Sequence, residues 1–183
     1  MSMTESDILT RVNQITKREE TSISDELAET LNELSIRTYA YKSEVSGTLS
    51  SGSNSFAVPT DFIDVQTLNF DTNNVLDRIS FSEFKQGYIP GYAVHNGYIY
   101  ISPTPGSDRT YTLYYFAYHP VVTSAINFAD KYKNAIIYGV AQRVYDNYEL
   151  YDEGTRMAQK FEIELVKYPP DNIFICKPRS MRA

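Results

Sequence analysis

Between Tyr92 and Pro120 the chain reads YAVHNGYIYISPTPGSDRTYTLYYFAYHP, and two turn signals inside this stretch leave little choice of local fold. Asn96 and Gly97 both tolerate positive φ, which a two-residue type I′ hairpin turn requires at both central positions. Pro103–Asp108, PTPGSD, removes ladder donors and marks a second turn. Between the turns Ile99 and Ile101 share one strand face while Tyr98 and Tyr100 share the other. The segment therefore predicts an antiparallel meander. It holds seven of the sixteen tyrosines and only Asp108 and Arg109 as full charges, so it reads either as a half-buried sheet or as an aromatic binding platform. On the following strand Tyr111, Leu113 and Tyr115 alternate with Thr112, Tyr114 and Phe116, so both faces are substantially apolar and both call for cover. The chain's own helices supply one cover. The other falls to a neighbouring subunit or a long loop, which makes Tyr98, Tyr100, Tyr114 and Phe116 candidate subunit contacts.

The flanking segments have helical periods. Ile8, Val12 and Ile15 fall on one face of a helix running from Thr4 to about Lys17, with Thr4 and Asp7 at capping spacing. A second helix begins at Ser24, where Asp25 and Glu26 suit the positive end of the dipole, and buries Leu27, Leu31, Leu34 and Tyr41. Ser43–Ser55, SEVSGTLSSGSNS, reads as an exposed loop or loosely paired hairpin that separates the helical arm from the strands. FAVPTDFIDVQTLNF and NNVLDRI read as strands around a turn at Asp71–Asn74, with Pro59 held to an edge or a strand start. Ser80 and Glu83 have capping-box spacing and predict one or two helical turns. Ile136, Ile137, Val140, Ala141, Val144 and Tyr148 then return to helical spacing. After a break at Glu153 and Gly154, a last helix carries Met157, Phe161 and Leu165 up to Pro169 and Pro170. The order helices, strands, helices describes an α+β domain with a carboxy-terminal helix pair. Residues 1–170 are expected to form one domain, with helical parts at 4–42 and 127–168 and a β part at 45–120, followed by an extended tail at 171–183.

A chain of 183 residues with net charge −6 is large enough to bury its own core, and its acidity argues against free-standing nucleic-acid binding. One cysteine, Cys176, excludes an internal disulfide and a CxxC metal site. The polar, acidic amino terminus does not read as a secretory signal, and no apolar run approaches the ~20 residues of a membrane span, so the protein is expected to be soluble and made inside the cell.

Catalytic patterns are missing from the sequence. His95 and His119 belong to no spaced ligand pair and read as structural or exposed. The nucleophile-elbow, P-loop and dinucleotide glycine patterns are absent. Asp61, Asp64, Asp71 and Asp77 cluster near the first strands and define a metal-dependent hydrolase alternative, although acids at strand ends and turns are ordinary. A second alternative is a soluble glycan- or protein-binding module that uses Tyr98, Tyr100 and Tyr114. No cofactor or metal is expected. The tail, DNIFICKPRSMRA, carries Lys177, Arg179 and Arg182 against Asp171, which makes it +2 and leaves −8 for the rest. Its Ile173, Phe174 and Ile175 are consecutive β-formers after a helix stop, a pattern suited to pairing with an edge or groove on another chain, while the cations engage acidic groups.

Taken in order, VPTDFIDVQTLNF (Val58–Phe70), IPGYAVHNGYIYISPTP (Ile89–Pro105), TYTLYYFAYHPVV (Thr110–Val122) and DKYKNAIIYGVAQRVYDNYE (Asp130–Glu149) resemble the head-to-tail adaptor, or connector, proteins of tailed bacteriophages, especially the short-tailed type. Phe128 stands where that pattern would place a tryptophan, and the chain has none. The resemblance implies a non-enzymatic neck protein made in the host bacterium. It would form a ring, expected as a dodecamer, beneath the portal and above a tail or nozzle protein, and leave a channel that DNA crosses without specific binding. It also implies docking on the portal through Asn172–Ala183, and so through Ile173, Phe174, Ile175, Lys177, Arg179 and Arg182. Heterologous contacts between two different faces of each subunit would close such a ring.

Overall fold

The computed structural model describes residues 3–71, 74–120 and 125–169. In chain order its elements are α1 (Glu5–Thr16), α2 (Ser24–Thr38), β1 (Lys42–Leu49), β2 (Ser55–Ala57), β3 (Phe62–Phe70), β4 (Asn74–Val75), α3 (Phe81–Gln86), β5 (Gly91–His95), β6 (Tyr98–Ser102), β7 (Arg109–Ala117), a 3-10 turn at Asp130–Tyr132, α4 (Lys133–Asn147) and α5 (Tyr151–Val166). The fold is α+β and falls into two compact units. One unites the described residues up to Tyr41 with those from Ala117 onward, and the other is Lys42–Phe116.

The helical unit draws α1 and α2 from one end of the chain and α4 and α5 from the other. α1 starts where Thr4 Oγ1 accepts the Asp7 amide proton at 3.2 Å and Asp7 accepts the Thr4 amide at 3.1 Å, a reciprocal capping box. α2 stops at Tyr39, whose left-handed backbone turns its N–H back onto the Ser35 carbonyl. Most of the predicted stripes are buried: Ile8, Val12, Leu27, Leu31 and Leu34 join Ile136, Val140, Val144, Phe161 and Leu165 in one core, whereas Ile15 is half-buried and Tyr41 is half-buried beyond the end of α2. Removing a side chain such as Ile136 would cost about 2–5 kcal/mol, because packed neighbours refill the hole only in part. α4 is the central helix and packs on α1, α2 and α5. Gly139 permits this closeness, since a Cβ there would lie 2.6 Å from Thr30 Cγ2 and 3.2 Å from the Phe161 ring.

The break between the last two helices lies earlier than the sequence suggests. α4 ends at Asn147, Glu149 takes a left-handed backbone with φ 58°, and α5 begins at Tyr151, so Glu153 and Gly154 are inside α5. Gly154 is helical because the carboxylate of Asp146 on α4 occupies the space a side chain would need.

The β unit holds two sheets, one of four strands in the order β1-β7-β3-β4 and one of three in the order β2-β6-β5. Asn96 and Gly97 have φ 47° and 76° and join β5 to β6 as a type I′ turn. α3 opens with the Ser80–Glu83 capping box and closes at Gly87. Pro59 lies between β2 and β3, where its carbonyl accepts the Phe62 amide in a turn. The NNVLDRI strand shrinks to the two-residue β4, with Arg78 making a separate bridge to Tyr92.

Ser43–Ser55 departs most from expectation. Its first half is an eight-residue strand, β1, paired antiparallel with β7 along its whole length from Lys42↔Phe116 to Leu49↔Arg109. Gly47, the residue most at odds with a strand, sits opposite Tyr111, whose ring lies across the space a Cβ would fill. The aromatic ring supplies the cover that the glycine lacks.

Candidate assembly interface

Each sheet of the β unit has one face committed to the interior. Phe56 of β2, which shares a face with Ile99, stacks on Tyr111 of β7 with ring centroids 3.9 Å apart. The Ile99–Ile101 face of the small sheet therefore meets the Tyr111–Leu113–Tyr115 face of the large one, and Ile99, Ile101, Leu113 and Tyr115 are all buried. The Tyr115 hydroxyl donates to Asp61 at 3.0 Å. Alternation then sends Tyr98 and Tyr100 to the outer face of the small sheet and Tyr114 and Phe116 to the outer face of the large one. The four candidate contacts thus form two separate pairs.

On the small sheet, α3 lays Phe81 and Phe84 against the tyrosine pair. Phe81 stacks on His95 at 3.9 Å and lies 5.1 Å from Tyr100, Phe84 also lies 5.1 Å from Tyr100, and Tyr98 stands 6.3 Å from Tyr100 at the margin. The Lys85 ammonium sits 5.1 Å from the Phe81 ring centre, a cation–π contact. No residue of α3 is fully buried, and Tyr98 remains 47% exposed. Tyr88, just beyond the helix, is 88% exposed. The result is an aromatic surface with an internal stacking order. Sequence reasoning found Tyr98 and Tyr100 but missed Phe81, Phe84 and His95. The FSEF spacing, which puts two rings on one side of a capped turn, was the available signal.

On the large sheet, Tyr114 is 36% exposed and Phe116 only 9%. Their cross-strand partners on β1 are Glu44 and Lys42, and Ser46 and Thr112 share a hydroxyl hydrogen bond of 2.9 Å on the same face. This second surface is mixed, with one exposed ring among polar groups. The tail residues Ile173, Phe174, Ile175, Lys177, Arg179 and Arg182 lie outside the described residues.

The aspartates do not converge. Asp64 takes a bidentate contact from Arg78 at 2.8 and 3.1 Å, Asp71 pairs with Arg109 at 2.7 Å, and Asp61 is held by Tyr115. Among the described residues no group of three or more His, Cys, Asp or Glu is placed to hold a metal ion. A shallow cavity of about 420 Å³ opens beside the second turn, lined by Phe70, Leu76, Pro90, Ile101 and Pro103 with the Asp71–Arg109 ion pair. Among the described residues no helix is long and apolar enough to cross a membrane.

His119 is buried and serves structure. Its Nε2 accepts the Asn127 backbone N–H at 2.8 Å and its Nδ1 donates to the Pro120 carbonyl at 2.8 Å, roles that only the neutral Nδ1–H tautomer can fill. The imidazole stacks on Phe128 at 5.3 Å and packs on Tyr41 at 4.9 Å, and its backbone N–H donates to Ser35 Oγ at 3.1 Å. Phe128, which stands where the resemblance would place a tryptophan, is the aromatic plug of this node. Burial pushes the His119 pKa below the ordinary histidine value, against the smaller opposing pull of the Pro120 carbonyl. On the outside of the same unit, Arg37 on α2 grips Glu162 on α5 through two 2.6 Å bonds, which holds the Glu162 carboxyl below its usual range.

The two units thus present a capped helical core, a two-sheet body with an exposed aromatic face, and Asp61, Asp64 and Asp71 each held by a partner. Residues 3–167 match the model of the SU10 adaptor protein family, and the chain belongs to that family. It is a bacteriophage head–tail adaptor, a structural protein of the virion neck that works with portal and tail proteins. A comparison with curated proteins returned no match.

Proposed function

We propose that this adaptor assembles into a closed ring, a dodecamer, beneath the portal of a short-tailed phage and joins the capsid to the next tail component. The observation that carries the reading is the family match, which spans both units from residue 3 to residue 167 and so covers nearly all of the described fold. In the ring, residues 1–170 act as one adaptor domain, and different faces of adjacent subunits meet in a heterologous contact. Tyr98 and Tyr100, backed by Phe81 and Phe84, supply one contact surface. Tyr114, with Phe116 beneath it, supplies another. The tail attaches the ring to the portal through Ile173, Phe174, Ile175, Lys177, Arg179 and Arg182, where each weak contact is multiplied by the number of copies. A body with net charge −8 outside the tail lets DNA pass through the channel without adhering. The role requires no catalysis and no cofactor, and the protein is made in the host cytoplasm before it joins the virion.

The test is sedimentation of purified portal mixed with either the full chain or a chain ending at Asp171. The full chain should co-sediment in stoichiometric excess over portal rings, and the shortened chain should stay in the supernatant. Equal co-sedimentation of both would overturn the assignment of the tail.

A further inference from the structure

We propose that residues Asn172–Lys177 of one copy add as a strand beside β1 of the adjacent copy. The inference rests on the ring reading above and deepens it by naming what holds neighbours together.

The starting observation is an open edge. Each sheet has two edge strands, and three of the four offer little backbone: β4 has two residues, β2 has three, and β5 is engaged on its outer side, where Tyr92 exchanges hydrogen bonds with Asp77 and Ile79 at 2.9 and 2.8 Å. β1 is different. It runs for eight residues with β7 on one side, and among the described residues no backbone hydrogen bond reaches its other side. Edges of that length are ordinarily protected by charge, proline, a bulge or a covering loop, because their unpaired N–H and C=O groups are a template for another strand. Here Lys42 and Glu44 guard one end, while Val45–Leu49 contains neither charge nor proline and pairs with β7 in unbroken register. An edge left open in this way suits strand addition, in which backbone bonds supply affinity and alternate side chains supply register.

The occupant is set by length and charge. Pro170 and Pro178 cannot donate to a ladder, so a strand drawn from the tail is limited to Asp171–Lys177, of which Asn172–Lys177, NIFICK, is the part free of acids. At about 3.3 Å per residue its six residues span roughly 20 Å, within the length that an eight-residue edge offers. Ile173, Phe174 and Ile175 are strong strand formers. Within Asn172–Lys177 the single charge is the cation Lys177, whereas Lys42–Phe116 carries four cations against seven acids, a net −3 of the opposite sign. Strand addition also divides the tail's work. Ile173, Phe174 and Ile175 would then pair with the adjacent copy instead of the portal, and portal contact would fall to Arg179 and Arg182, beyond Pro178.

The lone cysteine makes the pairing measurable. One chain keeps Cys176; a second, of different mass, carries Cys176→Ser together with Glu44→Cys, Ser46→Cys or Thr48→Cys on β1, or Ser6→Cys on α1 as the control. The two are mixed, assembled on portal and oxidised, and the disulfide-linked pair is resolved by mass. The proposal expects at least one β1 position to link to Cys176 ten or more times faster than the control, and Phe174→Pro to abolish that link while leaving the melting temperature unchanged. Rings that form normally with no β1 position linking faster than the control would overturn the strand pairing and leave the ring reading intact. A chain carrying both cysteines that closes on itself in assembled rings would overturn the assignment to a neighbour. Absence of any ring would remove the ring reading, and this inference with it.

Discussion

Replacing His119 with Leu should uncouple the node that ties α2 to the start of the last helix pair. The change leaves the Asn127 N–H and the Pro120 C=O, both on exposed residues, without their 2.8 Å partners at the edge of the buried imidazole. Water reaches these groups in part, so each lost bond costs about 1 kcal/mol, and the lost stacking on Phe128 and Tyr41 adds about 0.5–1.5 kcal/mol apiece. Leucine returns part of this through its own burial, so the net loss should be roughly 2 kcal/mol by urea unfolding at neutral pH. The pH dependence isolates the tautomer argument. Because burial lowers the folded-state pKa, the unfolded chain binds the extra proton. The contribution of His119 is therefore fully present above the unfolded value of about 6.5 and is lost as pH falls through the lower folded value. Between those two values the wild-type unfolding free energy should fall as the pH falls, with a His119 component of at most about 1.4 kcal/mol per pH unit, while His119→Gln, which cannot titrate, should lack that component. Identical slopes for the two proteins would refute the neutral, doubly bonded imidazole.

Close packing and exposure govern the remaining variants. Gly139→Ala would be favourable by about 1 kcal/mol in an exposed helix, yet here its methyl group meets Thr30 Cγ2 at 2.6 Å on a rotamer-restricted side chain; the melting temperature should drop by roughly 2–8 °C rather than rise. Tyr98→Ser should leave stability within about 0.5 kcal/mol but weaken assembly on the portal on the order of tenfold, whereas Tyr100→Ala, which strips contacts from Phe81 and Phe84, should cost roughly 2 kcal/mol in the isolated subunit. Thermal melts and sedimentation of the same two variants separate these roles. Thr4→Ala removes the capping oxygen of α1 and should cost about 1 kcal/mol, read by urea titration.

Local chemistry was legible wherever neighbours in sequence decide it. The Thr4–Asp7 and Ser80–Glu83 caps, the Asn96–Gly97 turn and the Ile99/Tyr100 alternation all depend on residues a few positions apart, and all appear as expected. What escaped depends on distant partners. β1 reads as a loop because Ser and Gly are poor strand formers; Tyr111, far along the chain, makes Gly47 acceptable. Gly154 reads as a break because nothing local shows that Asp146 needs its space. The same limit applies to the candidate interface: two of its rings come from β6, one from β5 and two from α3, and only the fold brings Phe81 onto His95. The helical parts at 4–42 and 127–168 and the β part at 45–120 could be read from the change of period along the chain, and the two compact units divide close by, between Tyr41 and Lys42 and between Phe116 and Ala117.

The central claim is that this chain closes a ring on the portal. Cryo-electron microscopy of purified portal incubated with excess adaptor tests it most directly. The account predicts a single closed ring of adaptor copies coaxial with the portal, with an open channel through both and contacts between unlike faces of adjacent subunits. Isolated copies scattered around the portal, or a portal left bare at saturating adaptor, would contradict it.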